Sequence, residues 1–389
     1  MPDKQAKTQV IRTQTRRSGQ REHSTPLFMT SSFVFDSAEH ARAMFASEVD
    51  GNIYSRYSNP NTDEFVAKMC LMEGAEAGIS TASGMAAVFS SMAALLEQGD
   101  HVIACRSIFG STHQILSSVF PKWGIDFSYI NIDQPESWEQ LIQDNTKIIF
   151  LETPSNPGLD LIDLEWACSL ANKHGLITIV DNCFATPYLQ KPMEYGADIV
   201  VHSATKFIDG QGRGIGGVIV GKARYIEEIR FFTRHTGPSL SPFNAWLFSK
   251  SLETLPVRME KHSANALQFA AFLESHDQVE WVKYPFLKSH PQYDLARKQM
   301  RSGGGVVTFN IKGGYERAKK FLDNLSMISL SANLGDTRSI ATHPASTTHS
   351  KLSDEERREV SITPGLIRIA VGLEAVEDII GDVEQALES

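Results

Sequence analysis

From about residue 64 to residue 221, short apolar runs alternate with stretches of helical periodicity, and this alternation constrains the fold more than any other feature of the chain. The runs at 77–80, 101–105, 147–151, 176–180, 198–201 and 217–220 read as strands, and the Ala-rich stretch at 85–97 as one of the helices between them. Strands that alternate with helices form a mostly parallel sheet covered on both faces. Ahead of this region, residues 36–46 read as a short helix opened by Asp36-Ser37-Ala38-Glu39 as a capping box. Behind it, Thr236-Gly237-Pro238-Ser239-Leu240-Ser241-Pro242 interrupts the pattern, and a long helical stretch follows at about 243–275. The last third carries sheet signals at 305–311 and 366–371 and a closing helix. The expected fold is α/β. It has an N-terminal arm over 1–60, a large domain with the parallel sheet over 61–242, and a smaller α+β domain over 243–389.

Composition removes several classes of function. A chain of 389 residues, 42% of them hydrophobic, can bury a core without disulfides or metals. Its 37 Lys and Arg against 46 Asp and Glu leave a net charge of −9, which argues against a nucleic-acid binder held by bulk positive charge. No apolar run approaches the roughly 18 residues of a membrane span. Cys70, Cys105, Cys168 and Cys183 are too scattered for a CxxC motif and too few for a disulfide framework, so a reducing, cytoplasmic setting is expected. Residues 1–21 carry Lys4, Lys7, Arg12, Arg16, Arg17 and Arg21 with almost no acidic partners. The stretch has no apolar segment of the secretory kind. It shares Arg-rich, Ser/Thr-containing composition with transit peptides but lacks an amphipathic stripe. It therefore reads as an extended basic arm lying on another subunit.

In an open parallel sheet, ligands bind beyond the carboxyl ends of the strands. After 77–80 comes Thr81-Ala82-Ser83-Gly84-Met85, where a glycine opens a helix and exposes free N–H groups to an anion. After 101–105 comes Arg106-Ser107-Ile108-Phe109-Gly110. After 147–151 comes Glu152-Thr153-Pro154-Ser155-Asn156-Pro157, after 176–180 comes Asp181-Asn182, and after 198–201 comes His202-Ser203-Ala204-Thr205-Lys206. Each residue has a plain alternative. A lysine after a strand is usually solvated, Asp181 suits a turn, Phe109 suits a core, and Ser83 and Thr205 suit helix caps. Together they meet the needs of pyridoxal phosphate: an amine, an acid for the pyridine nitrogen, a ring for its face and a phosphate cradle.

Two glycine runs lead elsewhere. Gly212-Arg213-Gly214-Ile215-Gly216-Gly217 matches GxGxxG but leads into the strand-like Val218-Ile219-Val220, where a dinucleotide fingerprint opens a helix. Gly216 to Lys222 approaches a P-loop, but Ala223 replaces its Ser/Thr. His343-Pro344-Ala345-Ser346-Thr347-Thr348-His349 lacks neighbouring Cys or carboxylate ligands, so no metal is expected.

Ser203-Ala204-Thr205-Lys206-Phe207-Ile208-Asp209-Gly210 resembles the lysine motif of the trans-sulfuration (cysteine/methionine metabolism) family of pyridoxal-phosphate enzymes, of fold type I. Tyr54-Ser55-Arg56-Tyr57-Ser58-Asn59-Pro60, Ser83-Gly84-Met85, Val180-Asp181-Asn182 and Leu366-Ile367-Arg368-Ile369-Ala370-Val371-Gly372-Leu373-Glu374 resemble other blocks of the family, in the same order over nearly the whole chain. The resemblance implies that Lys206 carries the cofactor and then shuttles protons, that Asp181 pairs with the pyridine nitrogen, and that Phe109 stacks on the ring. It implies that Ser203, Thr205 and the Ser83-Gly84-Met85 turn hold the phosphate, which Tyr54 and Arg56 reach from a neighbouring subunit. Arg368, with Asn156 and the backbone near Asn333, would receive the substrate carboxylate. Many relatives carry Tyr where this chain has Phe109, and a phenyl ring moves no proton.

The stretches His202 to Gly217, Thr236 to Trp246 and Ala332-Asn333-Leu334-Gly335-Asp336 resemble the sulfhydrylase branch that acts on O-succinylhomoserine. The expected reaction is therefore γ-replacement, with sulfide and an amino-acid substrate giving homocysteine in methionine biosynthesis. Arg106 and Arg213 are candidates for the succinyl tail, against an ordinary structural role. The rivals are cystathionine γ-synthase, O-acetylhomoserine sulfhydrylase and methionine γ-lyase. Outside the class stand a nucleotide-binding dehydrogenase and a non-catalytic scaffold. A homotetramer with active sites shared between subunits is expected, with no nucleic-acid or membrane partner.

Overall fold

A computed structural model describes residues 5–132, 134–347, 357 and 362–389. Seven strands form the larger sheet: β1 (Ala77–Thr81), β2 (His101–Cys105), β3 (Asp126–Ile130), β4 (Thr146–Glu152), β5 (Ile177–Asp181), β6 (Ile199–Ser203) and β7 (Gly217–Gly221). Their order is β1-β7-β6-β5-β4-β2-β3, with β7 antiparallel to both neighbours and every other pair parallel. Every residue of β2 and β7 is buried. β-Branched runs such as Val218-Ile219-Val220 suit such two-sided burial. Six of the seven strands coincide with the sequence expectation to within a residue or two. The seventh, β3, sits at the sheet edge. Its Asp126-Phe127-Ser128-Tyr129-Ile130 is neither uniformly apolar nor strictly alternating, so periodicity does not reveal it.

The smaller sheet contains β8 (Val279–Lys283), β9 (Val306–Ile311), β10 (Ser329–Leu330), β11 (Ile340–Thr342) and β12 (Leu366–Ala370), in the order β10-β11-β12-β9-β8. A second hydrophobic cluster, with Phe269, Phe309, Phe321 and Ile367, backs it. The larger cluster continues past residue 242 through Phe248, Leu252, Leu255 and Met259, so a boundary at 242 remains a proposal about folding units.

The helices show where local reading falls short. The expected stretch at 243–275 is two helices, Pro242–Leu252 and Leu255–Glu274, because Pro256 lacks the N–H that would continue one helix into the other. The helix after β1 spans Gly84–Ala93 rather than 85–97. Ser37 caps the helix Ala38–Phe45 through the His40 N–H at 3.0 Å, but no capping box forms. Glu39 stands one position too early to reach back and pairs with Arg42 instead. The capping box lies on the helix Pro60–Glu73, between Asn59 and Thr62.

The N-terminus also differs from expectation. Residues Ala6–Arg12 are helical rather than extended, and they pack on this chain's own Pro60–Glu73 helix. Val10 enters the core, and the Thr15 N–H donates to buried Glu64 at 2.8 Å. An apolar side chain with a place in the core and a buried acceptor for the backbone hold this segment on its own chain.

Candidate active site

β1, β2, β4, β5 and β6 run in one direction, so their carboxyl ends open on one edge of the sheet. β7 runs the other way and contributes its first residue there. The register sets Thr81 and Ser203 beside Gly217, and Glu152 beside Asp181. Topology thus gathers groups that sequence spreads over more than a hundred positions.

At the end of β1 the chain turns into the helix Gly84–Ala93. The Ser83 hydroxyl caps it by accepting the Ala86 N–H at 3.1 Å. The plain reading of Ser83 as a cap therefore holds, while the first-turn N–H groups of Gly84 and Met85 remain at a helix N-terminus. Gly84 approaches Ser203 so closely that a Cβ on it would lie 2.6 Å from the Ser203 Cβ. Only a bare backbone fits, and it leaves the N–H groups and the Ser203 hydroxyl on one small concave surface. Thr205 hangs from the Gly216 backbone, its hydroxyl 3.3 Å from the carbonyl and 3.2 Å from the N–H.

Lys206 follows β6, and its Nζ donates to Asn333 Oδ1 at 2.6 Å. Burial lowers its pKa, and the Arg368 charge adds to that. The loop carrying Asn333 presses on the lysine turn: a Cβ on Gly335, whose φ is +78°, would lie 2.5 Å from the Phe207 nitrogen. From the other side, buried Arg258 donates to the carbonyls of Phe207 at 2.6 Å, Ile208 at 3.2 Å and Ser251 at 2.9 Å.

Asp181 ends β5. Its Oδ1 accepts the Cys183 N–H at 3.0 Å, and burial raises its pKa. Glu152 ends β4 and is also buried. Its Oε2 accepts the Phe109 N–H at 2.7 Å. Burial, with the Asp181 charge second, pushes this carboxyl well above its ordinary range. Phe109 is 37% exposed, so it is not a core residue and its ring is open to a ligand.

Arg368 lies in β12 and is only 2% exposed. It donates to Asn156 Oδ1 at 3.0 Å and to the Asn333 carbonyl at 3.2 Å. Its Nε has no partner, and burial alone lowers its pKa to about 10. Asn156 and Asn333 thus both meet Arg368, and Asn333 links it to Lys206 through its side chain.

Other expected residues have their own contacts outside this group. The Arg106 guanidinium stacks over Tyr129, 4.9 Å from the ring centroid. Arg213 is held by Asp209 at 3.0 Å and Ser251 at 2.6 Å, the structural role. Tyr54 and Arg56 contact each other and Tyr57, and Arg56 donates to the Arg234 carbonyl. The run at Gly212 leads into β7, as expected. His343 bonds Ser346 and the Pro364 carbonyl, His349 lies outside the described residues, and no metal-ligating cluster occurs among the described ones.

Sequence reasoning assigned no role to Glu152, Arg258 or the buried His202–Glu73 pair, whose Nε2 and Oε1 are 2.6 Å apart. Glu152 had a usable signal, a second carboxyl at a strand end beside Asp181. Arg258 had none, because about fifty residues separate it from the turn it holds.

The cradle at Gly84, the amine, the acid and the open ring fit pyridoxal phosphate. The family model for Cys/Met metabolism PLP-dependent enzymes matches residues 7–388. An O-succinylhomoserine sulfhydrylase of Pseudomonas aeruginosa is 47% identical over 380 residues, covering 98% of this chain and 94% of that one. An L-methionine gamma-lyase of Porphyromonas gingivalis is 45% identical over 369 residues, covering 94% and 92%. A putative O-acetylhomoserine (thiol)-lyase of Campylobacter jejuni, solved with N'-pyridoxyl-lysine-5'-monophosphate, superposes with a TM-score of 0.95 at 36% identity, covering 99% and 100%. On the strength of motifs, fold and near-complete similarity, the chain belongs to the Cys/Met-metabolism family of enzymes that depend on pyridoxal phosphate.

Proposed function

We propose that this enzyme exchanges the γ-acyloxy group of O-succinylhomoserine for sulfide, giving homocysteine and succinate. The observation that carries the reading is Arg368, a buried guanidinium whose hydrogen bonds go to an amide and two backbone carbonyls rather than to a carboxylate. A buried charge is costly unless paired. The α-carboxylate of an amino acid pairs it, meeting the unpartnered Nε and a terminal nitrogen in a two-point fork. The choice of succinyl ester and sulfide rests on similarity to the sulfhydrylases.

Bound pyridoxal phosphate supplies the electron sink for the pair left when Cα loses its proton. Lys206 attaches the cofactor, takes the Cα proton once its amine is free, and then moves a proton at Cβ. Burial favours its neutral form, the form a base needs. Asp181 sets a negative charge against the ring nitrogen, and Ser203, Thr205 and the Ser83-Gly84-Met85 turn receive the phosphate. Phe109 offers a flat face and no hydroxyl, so proton movement falls to Lys206. The Cγ–O bond breaks as succinate leaves with its electron pair. Sulfide then forms the Cγ–S bond, and a returning proton completes homocysteine. Arg106 is the candidate partner for the succinyl carboxylate. Tyr54 and Arg56 would complete the phosphate site of a neighbouring chain in a dimer or tetramer. In favour of such assembly, Val34, Phe231 and Met29 are exposed apolar residues.

Side-by-side turnover of O-succinyl- and O-acetylhomoserine, each with sulfide or cysteine, tests the reading. The succinyl ester with sulfide should be fastest. Preference for the acetyl ester, for cysteine, or for elimination from methionine would overturn it. Mixing Lys206→Ala and Arg56→Ala chains should recover activity if sites are shared. No recovery despite proven subunit exchange would refute sharing.

A further inference from the structure

Glu152 is an expensive residue for its place. The four residues before it, Ile148-Ile149-Phe150-Leu151, are apolar and fully buried in the sheet. Glu152 continues that strand with a carboxyl, and the register sets it directly beside Asp181. Two buried carboxyls on paired positions of adjacent strands cannot both carry charge cheaply. Asp181, followed by the turn toward Lys206, is the one the cofactor's ring nitrogen needs charged.

The contacts of Glu152 explain what it does there. Its Oε2 accepts the Phe109 N–H at 2.7 Å. The Phe109 ring is more than one-third exposed, so core packing does not lock it. What sets the ring is its own backbone, and that backbone is tied to Glu152. The Glu152 N–H in turn donates to the buried Cys105 Sγ at 3.3 Å, fixing the strand end.

We propose that Glu152 is a positioning residue: its buried carboxyl anchors the backbone of Phe109 and so sets the ring platform beside Asp181. This rests on cofactor binding at this edge and not on which substrate is used.

The test compares Glu152→Gln, Glu152→Asp and Glu152→Ala with wild type, in cofactor-free protein titrated with pyridoxal phosphate. Visible absorbance gives the dissociation constant, and visible circular dichroism reports the orientation of the bound ring. Glu152→Gln keeps one acceptor and should stay within about threefold of wild type, with the same dichroic band. Glu152→Ala leaves the Phe109 N–H without its acceptor and should weaken binding about tenfold or more and alter the band. Glu152→Asp, one methylene short of the Phe109 N–H, should resemble Ala while still carrying a carboxyl. If Ala does not fold, the contrast between Gln and Asp decides. Wild-type affinity and dichroism in Asp or Ala would overturn the proposal, as would Gln as impaired as Asp. Failure of the wild type itself to bind would instead sink the cofactor reading.

Discussion

Two buried polar clusters in this molecule differ in one respect. The first clamps the N-terminal segment. Lys68, in the Pro60–Glu73 helix, meets Glu64 at 3.0 Å and Glu253 at 2.9 Å. Glu64 also accepts from Thr15, Thr25 and Ser249. Burial would raise the Glu64 pKa, but hydrogen bonds from Thr25, Ser249 and Thr15, with the Lys68 charge, bring it down to about 2. The second cluster, at the sheet edge, holds Lys206, Asp181, Glu152 and Arg368. Here burial pushes Lys206 and Arg368 down and Asp181 and Glu152 up. Each group there is shifted toward neutrality. A cluster that satisfies itself is structure, whereas one in which burial outweighs every partner awaits a ligand that brings the missing charges.

The largest effect expected from this contrast is chemical. Lys206→Ala should lower turnover by about a thousandfold or more and abolish the visible absorbance of the bound cofactor. Unfolding of the cofactor-free chain should be nearly unchanged, since Lys206 makes one side-chain bond, to Asn333. A large loss of stability would mean that the site is also a structural clamp.

Swapping a cation for methionine in each cluster sharpens the difference. Lys68→Met should cost about 3–5 kcal/mol in denaturant unfolding, because buried Glu64 loses its counterion while Glu253 keeps Lys250 at 3.3 Å. Arg368→Met should cost little or even stabilise, yet raise the substrate KM about a hundredfold through loss of a charge-assisted fork. Equal destabilisation by both would erase the distinction.

A smaller effect concerns the loop against the lysine turn. Gly335→Ala demands a left-handed backbone from alanine and a Cβ 2.5 Å from the Phe207 nitrogen. It should cost about 1–3 kcal/mol and weaken cofactor binding in step, as equilibrium unfolding and cofactor titration would show.

The smallest is a pH dependence of opposite sign. Glu64 is held below the ordinary value of 4.5, so its stabilisation is complete above that value and is lost as pH falls toward about 2. Asp181 is raised, so its contribution is complete below the ordinary value of 3.8 and is lost as pH rises through the raised value. Glu64→Gln should flatten the acid limb of a stability profile of the cofactor-free chain. Asp181→Asn should lift the neutral limb. Identical profiles for the two variants would contradict the contrast.

Much of the fold was legible because its signals are local. Uniform apolar runs announce strands buried on both faces, and six of them fell where expected. The turn residues after the strands point to Lys206, Asp181 and Phe109 from sequence alone. β3 escaped because an edge strand of mixed polarity has no period of its own. The arm was misread because nothing local in residues 6–12 shows that Val10 finds a place in this chain's own core. For Arg213 the sequence leaves a ligand role and a structural role side by side, and the bonds to Asp209 and Ser251 favour the structural one.

Six strands of the larger sheet and the family resemblance are readable in the sequence alone, since hydrophobic period and residue order along one strand-turn unit are written in adjacent positions. Tertiary structure alone decided that Asn333 reaches Lys206, that Arg258 holds its turn, and that Glu152 anchors Phe109. Those contacts span 127, 51 and 43 residues of chain. Only the packed fold, where burial makes each unpaired donor or charge costly, selects such partners from so many.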